Sequence, residues 1–215
     1  MLHPILSELS LTRIVLASGS PRRREILNST GLTFDVIPSK FDENLDKSQF
    51  ESPVDYVKET ARRKTDEVRE RLSISGKASS LIIGADTVVA LDGKIMEKPT
   101  SKSDATSMLT NLSGKTHSVY TGVVLSKVLQ NGTLKQVIFH EKTDVKFGNL
   151  PTEVIKSYVD TGEPMDKAGG YGIQAIGGTL VEGICGDYYN VVGFPLHHFC
   201  VEMLKLYDNK GGTQN

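Results

Sequence analysis

Apolar positions along the chain alternate between short continuous runs and helical spacing, the pattern of strands interleaved with helices. A run at residues 14–17 stops at small residues, and Pro21 then opens a helix carrying Arg22, Arg23 and Arg24 in its first turn. Residues 33–37 alternate as a short strand before a polar loop. Ser52 and Pro53 read as the cap and first residue of a long helix with an apolar stripe at Val54, Val57, Ala61, Val68 and Leu72. "LIIGADTVVA" (81–90) is a strand buried on both faces, and Asp92-Gly93 after it signals a tight hairpin. A helix follows over 101–114, capped by Ser103 and stopped by Gly114, then two long strands turning at Asn131 and Gly132. Further on the pattern predicts a helix over 151–162, a glycine-rich segment at 166–178, a strand pair over 179–193 and a closing helix over 195–207. Residues 73–80 read as a flexible connector and 208–215 as a disordered tail. The expected architecture is α/β with a mixed sheet, parallel at the start and antiparallel later.

Composition narrows the functional classes. With 38% hydrophobic and 24% charged residues and a formal charge of −1, the chain has no global pull toward nucleic acid or an acidic membrane. The N-terminus has neither a basic start nor a continuous apolar core, so neither a signal peptide nor a membrane span is expected. Cys185 and Cys200 match no metal or redox spacing and are expected as reduced core thiols in a cytoplasmic protein.

Local chemistry is more informative. The first turn of a helix carries unpaired N–H groups and a partial positive charge, so three arginines there repel it. With hydroxyls at Ser18 and Ser20 and a close backbone at Gly19, the same turn becomes an anion site suited to phosphate oxygens, and a bound polyphosphate would offset the repulsion. Arg22 and Arg23 are the expected ligands and Arg24 a solvated neighbour. Asp86 is expected where its strand ends, at the mouth of a crevice, where a carboxylate can hold Mg²⁺ or take a proton from water. Lys98 returns to the same sheet end after the hairpin, and the helical Lys64 is a further cation with long reach. Asp42 and Glu43 in the polar loop could supply a second metal carboxylate. The "DKAGGYGIQ" segment reads as a loop that approaches a ligand, with Gln174 offering donor and acceptor to a base edge. His197 and His198, adjacent on a helix, read as structural.

The motifs "LASGSPRRREIL", "GADTVV", "EKP", "SGKTHSVYTGV", "DKAGGYGIQ" and "NVVGFPL", in this order, resemble the Maf-like nucleoside triphosphate pyrophosphatases over about residues 13–200. In particular the chain is similar to the Maf-like portion of larger eukaryotic proteins that fuse it to a methyltransferase-like domain. The resemblance implies a Maf/inosine-triphosphatase-like α/β fold: an elongated mixed sheet flanked by helices, with two lobes around a central cleft. It also implies an N-terminal extension at 1–12, one domain over 13–207 and a possible homodimer. The implied reaction is hydrolysis of a nucleoside triphosphate at the α–β bond with a divalent metal, Mg²⁺ or Mn²⁺. The glycine-rich motif looks like the branch acting on dTTP and UTP. By that likeness Asp86 is the proton acceptor and a metal ligand with Glu43, and Lys98 is a catalytic cation. Arg22, Thr87 and Gln174 are tied to substrate choice, and Ser18, Ser20, Arg23, Lys64, Asp166 and Lys167 surround the phosphates. The alternatives are a nucleotide-sensing module without turnover and a pyrophosphatase for inosine, xanthosine or other modified nucleotides.

Overall fold

The structure, a computed structural model, describes residues 2–74, 80–129 and 132–208; most of the expected connector, Asn131 of the expected turn and the tail beyond 208 lie outside them. A 3₁₀ turn at His3–Ile5 and α1 (Leu6–Ser10) bury Leu2, Ile5 and Leu9 in the main core. β1 (Arg13–Leu16) leads into α2 (Pro21–Asn28), whose cap is Ser20: its hydroxyl accepts from the Arg23 N–H while Pro21 fills the first helical position, where no donor is needed. β2 (Asp35–Val36) is shorter than the alternation predicts. α3 (Pro53–Ile74) is followed by β3 (Ser80–Leu91), which turns at Asp92-Gly93 into β4 (Lys94–Met96).

α4 (Lys102–Leu112) begins two residues earlier than Ser103 suggests. Ser101 is the cap, its backbone extended and its hydroxyl accepting from the Asp104 N–H. β5 (Thr116–Val128) and β6 (Leu134–Phe147) form the long antiparallel pair, followed by α5 (Thr152–Asp160) and three 3₁₀ turns across 163–180. β7 (Val181–Cys185) pairs with β6, but the second strand expected there is a helix, α6 (Tyr188–Val192). Asp187 caps it by accepting from the Tyr189 N–H, and this side-chain acceptor lets the chain turn helical despite its β-branched residues. α7 (Leu196–Tyr207) closes the chain. Cys200 is buried as expected, but Cys185 is exposed because β7 is an edge strand; both thiols are free.

The described strands form one seven-stranded sheet in the order β2-β1-β3-β5-β6-β7, with β4 on β3. β1 runs parallel to β2 and β3, and the other pairs are antiparallel, so the sheet is mixed. Two cores divide it. Leu81, Ile83 and Ala85 of β3 enter a cluster with α2 and α7, whereas Val89, on the same face, enters a second cluster with α4 and α5. Thr87 is the polar position between them. On the opposite face Ile82 packs with Val68 and Leu72, and Val88 with Tyr56 and Val57; Gly84 and Asp86 fall between. Asp86 therefore does not end its strand: it sits mid-strand, opposite Gly122 of β5, at the seam between two lobes.

Gly84 and Gly122 set the distance of α3 from the sheet. A Cβ on Gly84 would overlap the Thr65 hydroxyl. On Gly122 it would lie 2.5 Å from the Val57 carbonyl oxygen and 2.8 Å from the Lys58 nitrogen. Backbone atoms cannot rotate away, so Gly122→Ala must push the helix outward. Overpacking of this kind costs about 1–3 kcal/mol, and thermal denaturation of Gly122→Ala should show a midpoint several degrees below wild type. An unchanged midpoint would mean that the helix does not rest on this glycine.

Candidate active site

The seam opens as a cleft of about 880 Å³, and every candidate named from the sequence lines it except Asp42, Arg24 and the two histidines. Asp42 instead accepts from the Asn44 side chain on the exposed loop. That separates it from its neighbour Glu43, which reaches the cleft.

On the cleft floor the Lys64 ammonium, from the fourth turn of α3, donates to Asp86 Oδ1 at 2.7 Å and lies 2.7 Å from Glu43 Oε2. Lys64 and Asp86 are buried, whereas Glu43 is exposed. A buried charge is tolerated only when paired, and here one ammonium answers two carboxylates. Among the described residues no cluster of three or more His, Cys, Asp or Glu is arranged to hold a metal. Two hard carboxylates converging on one cation, beside a cleft open to further oxygen donors, fit Mg²⁺ or Mn²⁺, which fill their coordination with water and substrate phosphate.

The three arginines separate. Arg24 is exposed. Arg22 reaches across the cleft to Asp166 Oδ2 at 3.0 Å, and Asp166 also accepts from Lys167 Nζ at 2.6 Å. Burial alone would raise the Asp166 carboxyl, but hydrogen bonds from Lys167 and Arg22 hold it below the ordinary range. Arg23 turns inward. Its guanidinium donates to the Gly193 and Ala85 carbonyls, each at 2.9 Å, to Ser18 Oγ at 3.2 Å and to Thr87 Oγ1 at 2.9 Å. Burial lowers its pKa, against the attraction of Asp86 and Glu43. Four of roughly five donors thus go to protein acceptors, so Arg23 ties α2 to β3 and to the turn after α6 and has little left for a ligand. The expected repulsion at the start of α2 is relieved within the protein, by Asp166 for Arg22 and by carbonyls and hydroxyls for Arg23.

Thr87 is likewise engaged, with its hydroxyl 2.9 Å from Thr121 Oγ1 and 3.3 Å from the Gly193 carbonyl. Lys98 and Gln174 are exposed on the cleft wall, and Lys98 has no ion-pair partner among the described residues. Lys167 is anchored at the Glu163 carbonyl at 2.6 Å.

Several residues that shape the site carry no signal in the sequence pattern. Glu97 lies inside a quoted motif yet reads as a hairpin residue. His117 and Tyr171 meet only through the tertiary fold: His117 Nε2 is 2.7 Å from the Tyr171 hydroxyl, beneath the glycine-rich segment, and both rings pack edge-on against Phe147. Asn190, fully buried, donates to the Val119 carbonyl and to Thr143, tying the turn before Gly193 to the sheet.

Residues 13–206 match the family model described as Maf-like protein. The chain is 53% identical over 212 residues to the human probable bifunctional dTTP/UTP pyrophosphatase/methyltransferase protein, covering 96% of this chain and 34% of that one. It thus spans about a third of that relative's length. It is 45% identical over 197 residues to the dTTP/UTP pyrophosphatase of Clostridium perfringens strain 13, covering 91% of this chain and 97% of that one. Among solved structures, a HAM1 protein from Coxiella burnetii aligns with a TM-score of 0.45 at 13% identity over 90% of this chain and 99% of that one.

Burial pushes the His117 imidazole down to about 4, opposed only by Asp144. In the unfolded chain a histidine titrates near 6.5. Its folded pKa is depressed, so the unfolded state takes up a proton first and the native state loses stability as pH falls from about 6.5 to about 4. The loss is of order 3 kcal/mol. Urea unfolding at pH 7 and at pH 4.5 should show a smaller loss in His117→Gln than in wild type; equal losses would mean that His117 is not held neutral.

Proposed function

The chain belongs to the family of Maf-like proteins, and on that footing we propose that it hydrolyses nucleoside triphosphates, dTTP and UTP foremost, at the α–β bond to the monophosphate and pyrophosphate. The names of the human and clostridial relatives support the substrate. The observation that carries the reading is the cleft floor, where Lys64 stands 2.7 Å from both Asp86 and Glu43 beneath a rim bearing Arg22, Lys98 and Lys167. A carboxylate suited to take a proton faces cations suited to a polyphosphate.

In this reading Asp86 orients the attacking water and accepts its proton, while Lys64 fixes the carboxylate. The water oxygen bonds to phosphorus, the α–β bridging P–O bond breaks, and the charge left on the departing oxygen is met by Lys98, Lys167 and Arg22. Such preorganised cations are usually the largest catalytic contribution. A divalent metal, Mg²⁺ or Mn²⁺, held by Asp86 and Glu43 would supply further charge neutralisation at the phosphoryl oxygens. The N–H groups at the start of α2, with Ser18 and Ser20, suit a phosphate oxygen. Arg23 acts from behind, holding Ser18 and Thr87 in place. Asp166 occupies Arg22 and Lys167 until the substrate phosphates take over. Gln174 matches a pyrimidine edge with one donor and one acceptor group.

The reading extends to a cytoplasmic homodimer. Free thiols at Cys185 and Cys200 suit a reducing compartment, and the exposed Ile184, Tyr188 and Tyr189 near the β7 edge suit a subunit contact. No helix among the described residues is long and apolar enough to cross a membrane.

Two results test the assignment. Asp86→Asn should lower kcat on dTTP by at least about a hundredfold, the usual range for loss of a general base, with nucleotide affinity by calorimetry within a few-fold. Near wild-type turnover in that variant would remove Asp86 from its role. Asp166→Asn, which uncouples Arg22 from its resting partner, should bind dTTP with equal or higher affinity; a tenfold loss would show that Asp166 itself serves the substrate.

A further inference from the structure

Glu97, just past β4, is a carboxylate on the wall of a cleft proposed to take a polyanion. Uncommitted, it would repel the substrate, yet both of its oxygens are occupied. Oε1 accepts from the Tyr56 hydroxyl at 2.7 Å and Oε2 lies 2.8 Å from Lys47 Nζ. Its main-chain carbonyl accepts from the Gly169 N–H at 3.0 Å.

Each contact leads to a different part of the site. Tyr56, 1% exposed, stands two turns before Lys64 on α3. Lys47 lies in the 3₁₀ turn Lys47–Gln49, on the loop that carries Glu43 to Lys64. Phe50 at the end of that loop packs edge-on against the Tyr56 ring, with centroids 5.3 Å apart. Gly169 belongs to the segment bearing Lys167 and Gln174, and Lys98 is the next residue in the chain. Burial and Glu97 together raise the Tyr56 hydroxyl pKa, so it remains a donor.

We propose that Glu97 is a positioning residue: through Tyr56, Lys47 and Gly169 it holds the Glu43 loop, α3, Lys98 and the glycine-rich segment in one register around Asp86. The Lys47–Glu97 pair is about two-fifths exposed at each end. Exposed pairs of this kind contribute little to global stability, so the pair latches a loop without deciding whether the chain folds. Lys47 does not line the cleft, so any effect of its removal on turnover must pass through Glu97 and the loop.

The catalytic consequence rests on the function proposed above; the structural one does not. The test uses the full chain with Lys47→Met, Lys47→Arg and Glu97→Gln, read by hydrogen exchange in peptides covering 38–50 and by kcat and KM for dTTP. In Lys47→Met the loop should exchange about threefold faster or more, with α3 and β3 unchanged, the range a pair of up to 1 kcal/mol allows. kcat should fall about three- to tenfold with KM within twofold. Lys47→Arg should restore both readouts, and Glu97→Gln should move them the same way as Lys47→Met. Unchanged loop exchange in Lys47→Met and Glu97→Gln would overturn the proposal, as would faster exchange spread equally through α3 and β3, or normal kcat despite a loosened loop. If the wild-type protein turned over no nucleotide, the function proposed above would fall, and the exchange result alone would decide the latch.

Discussion

Helix α3 can bring a lysine ammonium to Asp86 because β3 and β5 present hydrogen atoms, not side chains, where its backbone comes in. Gly84 faces Thr65, and Gly122, paired across the strands with Asp86, faces the Val57 carbonyl. With that spacing Lys64 lies 2.7 Å from two carboxylates; a helix further out would leave Asp86 buried and unpaired, which the fold does not tolerate cheaply. The same spacing seats Tyr56 where it meets Glu97. The chemistry of the cleft floor is therefore a consequence of helix–sheet packing.

The cleft exists because β3 serves two cores at once. One ends at Ala85 and the other begins near Val89, and between them the strand turns the polar Asp86 to one face and Thr87 to the other. Arg23 closes the seam from the α2 side with donors to the Ala85 and Gly193 carbonyls, and the Arg22–Asp166 pair spans it at the rim. Three consecutive arginines on a helix cannot share a role, because they point in three directions. Here one is a half-buried strut, one is a rim cation and one is solvated.

Much of this was legible in the chain. The continuous apolar run at 81–90 announced a strand buried on both faces, Asp92-Gly93 announced its hairpin, and Pro21 announced the start of α2. Ser18, Ser20, Glu43, Lys64, Asp86, Lys98 and Gln174, which stand together on one cleft, were recognisable by residue type, whereas Thr87, Asp166 and Lys167 on the same cleft came only from the family resemblance. Roles set by distant partners were not legible. Nothing local says that Arg23 turns inward, since its acceptors at Ala85 and Gly193 lie 62 and 170 residues away. The helix at Tyr188–Val192 was hidden by valines and tyrosines that favour strand, overridden by the Asp187 cap. Cys185 looked like a core thiol because its neighbours are apolar, but burial on an edge strand depends on what covers it. Glu97 and His117 show their purpose only through Tyr56 and Tyr171, 41 and 54 positions distant.

If the cleft is a site for phosphoanhydride hydrolysis, the bond that breaks identifies it. Purified protein incubated with dTTP or UTP and Mg²⁺, with products resolved by phosphorus NMR, should yield the monophosphate and pyrophosphate in equal amounts. Diphosphate with inorganic phosphate, or no turnover at all, would contradict the account.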